Sequence, residues 1–122
     1  AYGFKNDSIF FNLGMAYGEL NDIEKSIAAF QEALEINPDS ADNRFGLAMA
    51  YYQSAIADKL AEEEFLKAIE IDPAYLDARL YLSILYVDMG ELQKAGEQLQ
   101  KTLKIDPAHK MAQEFLERIE KK

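Results

Sequence analysis

The sequence predicts an all-α solenoid of antiparallel helix pairs, and three observations lead to it. The first is internal repetition. Pro38, Pro73 and Pro107 stand 35 and 34 residues apart, and aligning them brings the apolar and small positions into step. Leu13, Leu47 and Leu82 share a column, as do Tyr17, Tyr51 and Tyr86; Gly14, Ala48 and Ser83; and Phe30, Phe65 and Leu99. Ser26, Ala61 and Ala95 form another column, followed by Ala33, Ala68 and Thr102 and then by Ile36, Ile71 and Ile105. The second observation is the spacing inside each unit, where apolar residues recur at i, i+3, i+4 and i+7 and so share one face of a helix. The third is punctuation: each unit ends on a proline, and polar or glycine turns divide the first and third units into two helices. Two helices per period of about 34 residues mark a stacked repeat.

Taken in order, residues 1–6 fit the register as the tail of an earlier unit, with Tyr2 in the isoleucine column and Phe4 in the proline column. Asp7 or Ser8 can cap the first helix, because their side-chain oxygens accept from the free N–H groups of its first turn. That helix is expected to reach Glu19, with Phe10, Leu13, Gly14 and Tyr17 on one stripe. Asn21–Asp22 turns the chain, and a second helix follows from about Ile23 to Ile36, with Ile27, Phe30 and Leu34 apolar. Small residues at Gly14, Ser26 and Ala33 let the two backbones approach, and larger ones would overpack the crossing by about 1–3 kcal/mol. Pro38 stops the helix, since it lacks an N–H and clashes with the preceding turn.

Asp39–Ser40 can cap a third helix over about residues 41–53. The turn after it is irregular: unit 2 carries one extra residue within residues 54–60, without the Gly or Asn of its siblings. Asp58 is the expected cap of the helix ending near Ile71. Unit 3 is regular, with helices over about residues 75–89 and 92–105 around Gly90–Glu91. A last helix over about residues 109–121 carries Met111, Phe115, Leu116 and Ile119 on one face. It is charged elsewhere and has Glu117 where the other units place a small residue, which is the character of a helix sealing an open end.

A chain of 122 residues fits one domain, burying roughly two thirds of the surface it exposes when unfolded. The net charge of −9 disfavours nucleic acid and anionic membrane surfaces, both of which need clustered Lys and Arg. No apolar run approaches the roughly 20 residues needed to span a bilayer. No basic segment followed by an apolar one begins the chain, so no signal peptide is expected. The start at Ala1 instead of Met reads as an excised fragment. Zero cysteines exclude disulfides, thiolate metal sites and cysteine nucleophiles, and fit a reducing, cytoplasmic setting.

No catalytic, metal or cofactor site is expected. His109 is the sole histidine, beside a helix start, with no second His or Cys to share a metal. Glu62, Glu63 and Glu64 are consecutive, so they fan around their helix and read as a solvated face. There is no glycine-rich phosphate loop ending in Gly-Lys-Ser/Thr and no Gly-x-Ser-x-Gly nucleophile elbow.

The filled columns resemble the tetratricopeptide repeat, over units 7–40, 41–75 and 76–109, and residues 110–122 resemble that family's solvating C-terminal helix. Departures are Arg44 and Arg79 in the aromatic column that Phe10 fills, Ser83 for a small Gly or Ala, and Thr102 for Ala. The two arginines would thin the aromatic packing. The resemblance implies a right-handed superhelix whose first helices line a concave groove, and a scaffold that binds peptides or proteins. One branch of the family grips the acidic tails of heat-shock chaperones through a two-carboxylate clamp. Its Lys and Asn positions on the first helix correspond to Phe11 and Met15, its Asn on the second unit to Gly46, and its Lys and Arg on the third to Asp77 and Tyr81. All five differ here, so the resemblance implies no chaperone-tail binding.

Beside the core stripe, each first helix carries a second apolar one: Phe11 and Met15, then Phe45, Met49 and Tyr52, then Leu80, Tyr81, Ile84 and Val87. By the resemblance these positions face the groove; the alternative is that some pack between adjacent first helices. The expected groove set is Phe11, Asn12, Met15, Asp42, Phe45, Met49, Tyr52, Asp77, Leu80, Tyr81 and Ile84, with Asp42 and Asp77 edging it with negative charge. The expected partner is an amphipathic helix or extended segment, apolar on one side with Lys or Arg at its margin. The alternative function is self-assembly through the open N-terminal end or the convex face, giving a weak homo-oligomer instead of a monomer.

Overall fold

The structure is a computed structural model, and it describes residues 6–121. Those residues form seven helices: α1 (Asp7–Glu19), α2 (Ile23–Ile36), α3 (Ala41–Ser54), α4 (Asp58–Ile71), α5 (Leu76–Asp88), α6 (Leu92–Ile105) and α7 (Lys110–Glu120). Each helix packs on the next in the chain, and α1 also touches α3. The pairs α1–α2, α3–α4 and α5–α6 therefore stack with their first helices on one side, and α7 closes the far end. Among the described residues there is no strand, and no helix is long and apolar enough to cross a membrane. The reading of residues 1–6 as the tail of an earlier unit lies outside the described residues, apart from Asn6.

The repetition extends to the turns. Asn37, Asp72 and Asp106 each close a helix just before a proline, and each carbonyl accepts from the N–H three residues on: Ser40 at 3.4 Å, Tyr75 at 3.0 Å and His109 at 3.1 Å. Ser40 Oγ then caps α3 by accepting from the Asn43 N–H at 3.0 Å. His109 does the same for α7 through Nδ1, at 3.2 Å from the Ala112 nitrogen. Two caps differ from expectation. Asn6 caps α1 in place of Asp7 or Ser8, its Oδ1 lying 2.9 Å from the Ser8 nitrogen, with Asp7 already helical. Asp58 is likewise the first helical residue of α4, with Ala57 before it and no side-chain cap.

The turn of unit 2, which carries the extra residue, differs from its siblings in its residue type. Asn21 (φ 63°) and Gly90 (φ 79°) turn units 1 and 3 in the left-handed region, which Asn and Gly tolerate; unit 2 puts Ala55 there (φ 64°). Relieving the Cβ clash at this exposed position makes Ala55→Gly a stabilising change of about 0.5–1 kcal/mol, after the extra freedom glycine brings to the unfolded chain. Thermal unfolding should show a midpoint a few degrees higher, and Ala55→Val should move it the other way. An unchanged or lower midpoint for the glycine variant would show that the loop carries no strain.

The core runs as three clusters between successive pairs. One column shows how stacking decides burial: Leu47 and Leu82 are 4% and 0% exposed beneath α2 and α4, whereas Leu13 is 40% exposed, with no helix over that face of α1 among the described residues. At the far end Ala112 takes the buried position on α7, and Met111, expected on one face with Phe115, Leu116 and Ile119, is 63% exposed.

One expectation about charge is corrected. Glu62 and Glu64 are buried, and only Glu63 is solvated. Fanning around α4 carries them to partners: Glu62 accepts from the Tyr86 hydroxyl at 2.9 Å and faces Lys59, and Glu64 pairs with Arg44 at 3.0 Å and Lys67 at 3.4 Å. Arg44 and Arg79 stand where an aromatic ring would pack. They replace ring contacts with links between helices, Arg79 donating to Gln98 Oε1 at 2.8 Å and to the Pro73 carbonyl at 3.0 Å.

Candidate functional site

A cleft of about 380 Å³ opens on the side formed by the first helices. Its floor is Phe30 of α2, seen between two glycines. A Cβ at Gly14 would stand 2.7 Å from the Phe30 ring, and one at Gly46 closer still, so neither position can raise a side chain over the ring. Phe11 meets Phe30 edge-on from the other side, with centroids 5.6 Å apart. Met15, Gly18 and Glu19 of α1 form one wall, Phe45, Met49 and Gln53 of α3 another, and Asp77 and Tyr81 of α5 reach its edge. Gln53 Nε2 ties the walls together, donating to the Gly18 carbonyl at 3.1 Å and to Asn21 Oδ1 at 3.3 Å.

The lining is mostly apolar, with Ser26 and Gln53 its uncharged polar side chains. Glu19 and Asp77 are its charged residues, no Lys or Arg lines it, and neither carboxylate is in an ion pair among the described residues. No three His, Asp or Glu converge as a metal site among the described residues.

Of the expected groove set, Met15, Phe45, Met49, Asp77 and Tyr81 line this cleft. Leu80 does not: it is buried against Leu99 of α6 and Ala112 of α7, and it belongs to the core. Phe11 supports the floor instead of lining the cleft, and Asn12 is exposed outside it. Asp42 accepts from the Tyr75 hydroxyl at 2.7 Å, and burial together with that carboxylate holds the phenol protonated well above its ordinary range. Tyr52 donates to Asp88 at 3.3 Å. Ile84 lines a separate, smaller cleft with Met111, Phe115 and Arg118. Phe45 serves both surface and core, its ring 5.1 Å from Tyr75, 5.9 Å from Tyr81 and 6.0 Å from Phe65. The apolar stripe does not contain Gly18, Glu19 or Gln53; a glycine inside a helical pattern is the one signal that marks Gly18.

Comparison with known proteins agrees with the repeat geometry. Family models of the tetratricopeptide repeat match residues 8–40 and 59–119, the second alone spanning half the chain. The chain belongs to the tetratricopeptide repeat family. The stretch between the two matches holds the extra residue and the strained Ala55.

Human tetratricopeptide repeat protein 6 is 32% identical over 111 residues, 89% of this chain and 21% of that protein. The probable UDP-N-acetylglucosamine–peptide N-acetylglucosaminyltransferase SPINDLY of Petunia hybrida is 33% identical over 96 residues, 79% of this chain and 10% of that protein. The chain thus spans about a fifth or less of the length of these relatives. Among solved structures, YrrB, a tetratricopeptide repeat protein with an unusual peptide-binding site, superposes with a TM-score of 0.81 at 27% identity, over 92% of this chain and 57% of that one. The first such domain of Spaghetti (RPAP3), bound to the HSP90 peptide SRMEEVD, superposes with a TM-score of 0.86 at 16% identity, over 94% and 93% of the chains, and so shares the fold alone.

Proposed function

We propose that this chain is a non-enzymatic binding module that holds a peptide or protein segment on the concave face of α1, α3 and α5. The observation that carries this reading is the open apolar cleft between Met15, which is 48% exposed, and Met49, with Glu19 and Asp77 at its rim. Apolar side chains left together in contact with water mark an interaction surface, and methionine adapts to the shape of its partner. Peptide binding by YrrB, which shares the repeat, supports the same use of this fold. The partner is an amphipathic helix or an extended segment, apolar where it enters and basic at its margin.

An acidic chaperone tail is the wrong partner. Of the five clamp positions, Phe11 is seated on Phe30, Gly46 has no room for a side chain, and Asp77 would repel a carboxylate.

Peptide display on the immobilised chain tests this. Selected peptides should combine apolar residues with Lys or Arg, and the pair Met15→Glu, Met49→Glu should weaken them by about tenfold or more while circular dichroism stays unchanged. Enrichment of peptides ending in Glu-Glu-Val-Asp, or binding indifferent to both substitutions, would overturn the assignment.

A further inference from the structure

Of the three glycines that line the cleft, Gly18 is the one that packing does not explain. Gly14 and Gly46 are explained by the Phe30 ring between them. Gly18 is not: a Cβ built there meets only Gln53 Oε1 and Ser26 Oγ, each at 3.6 Å, an ordinary contact distance. Its backbone is not in the left-handed region, where Gly90 is the glycine found among the described residues. Alanine would therefore fit both the space and the backbone. Glycine is a poorer helix former than alanine, because it surrenders more backbone entropy and leaves the backbone exposed to water. Helix α1 thus gives up stability at Gly18 for no gain in packing. What the missing side chain leaves behind is open volume beside Ser26 and Gln53, within the cleft that Phe30 floors.

We infer that this volume is an anchor pocket for one bulky apolar side chain, aromatic or long aliphatic, of a peptide segment that carries Lys or Arg next to the anchor. The inference rests on the reading of the concave face as a peptide-binding surface, and adds which residue of the peptide enters and where. About 380 Å³ lies near the lower end of ligand-pocket volumes, which suits one large side chain with its own backbone and is too small for a whole helix. The thioethers of Met15 and Met49 flank the entrance and make favourable contacts with an aromatic ring. The Phe30 ring gives an apolar floor, and the Ser26 hydroxyl beside it already donates to the Gly14 carbonyl at 2.7 Å.

Charge selects the neighbour of the anchor. Glu19 and Asp77 come from different helices, α1 and α5, on the rim of one cleft, and no cation of the chain neutralises either among the described residues. A cationic side chain beside the anchor lies within their field and is attracted; an acidic one is repelled.

The test uses acetyl-Lys-Trp-amide, titrated into the isotope-labelled chain and followed through the backbone amide resonances of Gly14, Gly18 and Gly46. These three should shift together and saturably. Acetyl-Glu-Trp-amide and acetyl-Lys-Ala-amide should bind more weakly by about tenfold or more, one lacking the charge match and the other the anchor. Gly18→Leu should fill the pocket and abolish the Gly14 and Gly46 shifts while its thermal midpoint stays at or above that of the wild type; Gly18→Ala, which adds one methyl, should weaken binding and raise the midpoint.

Shifts that survive Gly18→Leu, or the absence of any saturable shift at the three glycines, overturn the pocket. Display-selected peptides that tolerate Gly18→Leu but are lost with Met15→Glu, Met49→Glu overturn it too, and leave the wider groove standing. Peptides indifferent to both sets overturn the pocket and the groove together.

Discussion

Phe30→Ala should lower the stability of the chain by about 3–5 kcal/mol, the range for deleting a buried aromatic ring. Its ring is 2% exposed, meets Phe11 edge-on and lies against backbone at Gly14 and Gly46, two positions with no side chain to refill the space. In a stacked array each pair contacts only its neighbours, and the loss is local. Hydrogen exchange should quicken in α1, α2 and α3 while α5 to α7 keep their protection. The same contact makes a sign reversal expected at Gly46. In the wild type, Gly46→Ala forces a methyl into the Phe30 ring, an overpacking of about 1–3 kcal/mol that outweighs the roughly 1 kcal/mol gained in helix propensity. With Phe30→Ala already in place, the methyl enters empty space and the substitution should stabilise. Urea unfolding of the four chains decides the matter: if Gly46→Ala has the same sign in both backgrounds, the ring does not set the floor of the cleft.

Much of this fold is legible without coordinates, because its local signals agree with one another. The expected limits of α2 and α6 coincide with those observed, since a turn residue opens each helix and a proline follows each end. Burial is where the pattern stops being informative. Leu13, Leu47 and Leu82 are equivalent in sequence, yet their exposure depends on whether a helix lies above them. Leu80 and Tyr81 are consecutive on the second stripe of α5, yet the first packs on Leu99 of α6 and Ala112 of α7 in the core while the second lines the cleft. Phe45 satisfies both alternatives for that stripe at once, so a substitution there probes folding as much as binding. The cleft itself is hard to foresee for a different reason. Its depth comes from side chains that are missing at Gly14, Gly18 and Gly46, and a search for apolar periodicity registers residues that are present. Glu62 and Glu64 mislead in the opposite way, because a run of like charge looks solvated until the partners on α3 and α5 are in place.

The Arg44–Glu64 pair turns that last point into an expected result. The two side chains are 21% and 10% exposed and 3.0 Å apart, and Arg44 Nε is buried with no partner. An ion pair so placed gains Coulomb energy, but desolvation offsets much of it. Removing one member is therefore worse than removing both. Glu64→Leu leaves Arg44 with a further unpaired donor and should destabilise by about 2 kcal/mol, less than for a fully buried pair because water still reaches the guanidinium. Arg44→Phe alone should be milder, since Lys67, half exposed and already 3.4 Å from Glu64, can keep that carboxylate company. The two changes together put an aromatic residue back in the column that Phe10 fills and face it with leucine. That double variant should lie within about 1 kcal/mol of the wild type or above it, a coupling of about 1–2 kcal/mol. Chemical denaturation of the four chains closes the cycle. Strictly additive losses would mean that Arg44 and Glu64 are held by other contacts and that their ion pair contributes nothing specific to the joint between α3 and α4.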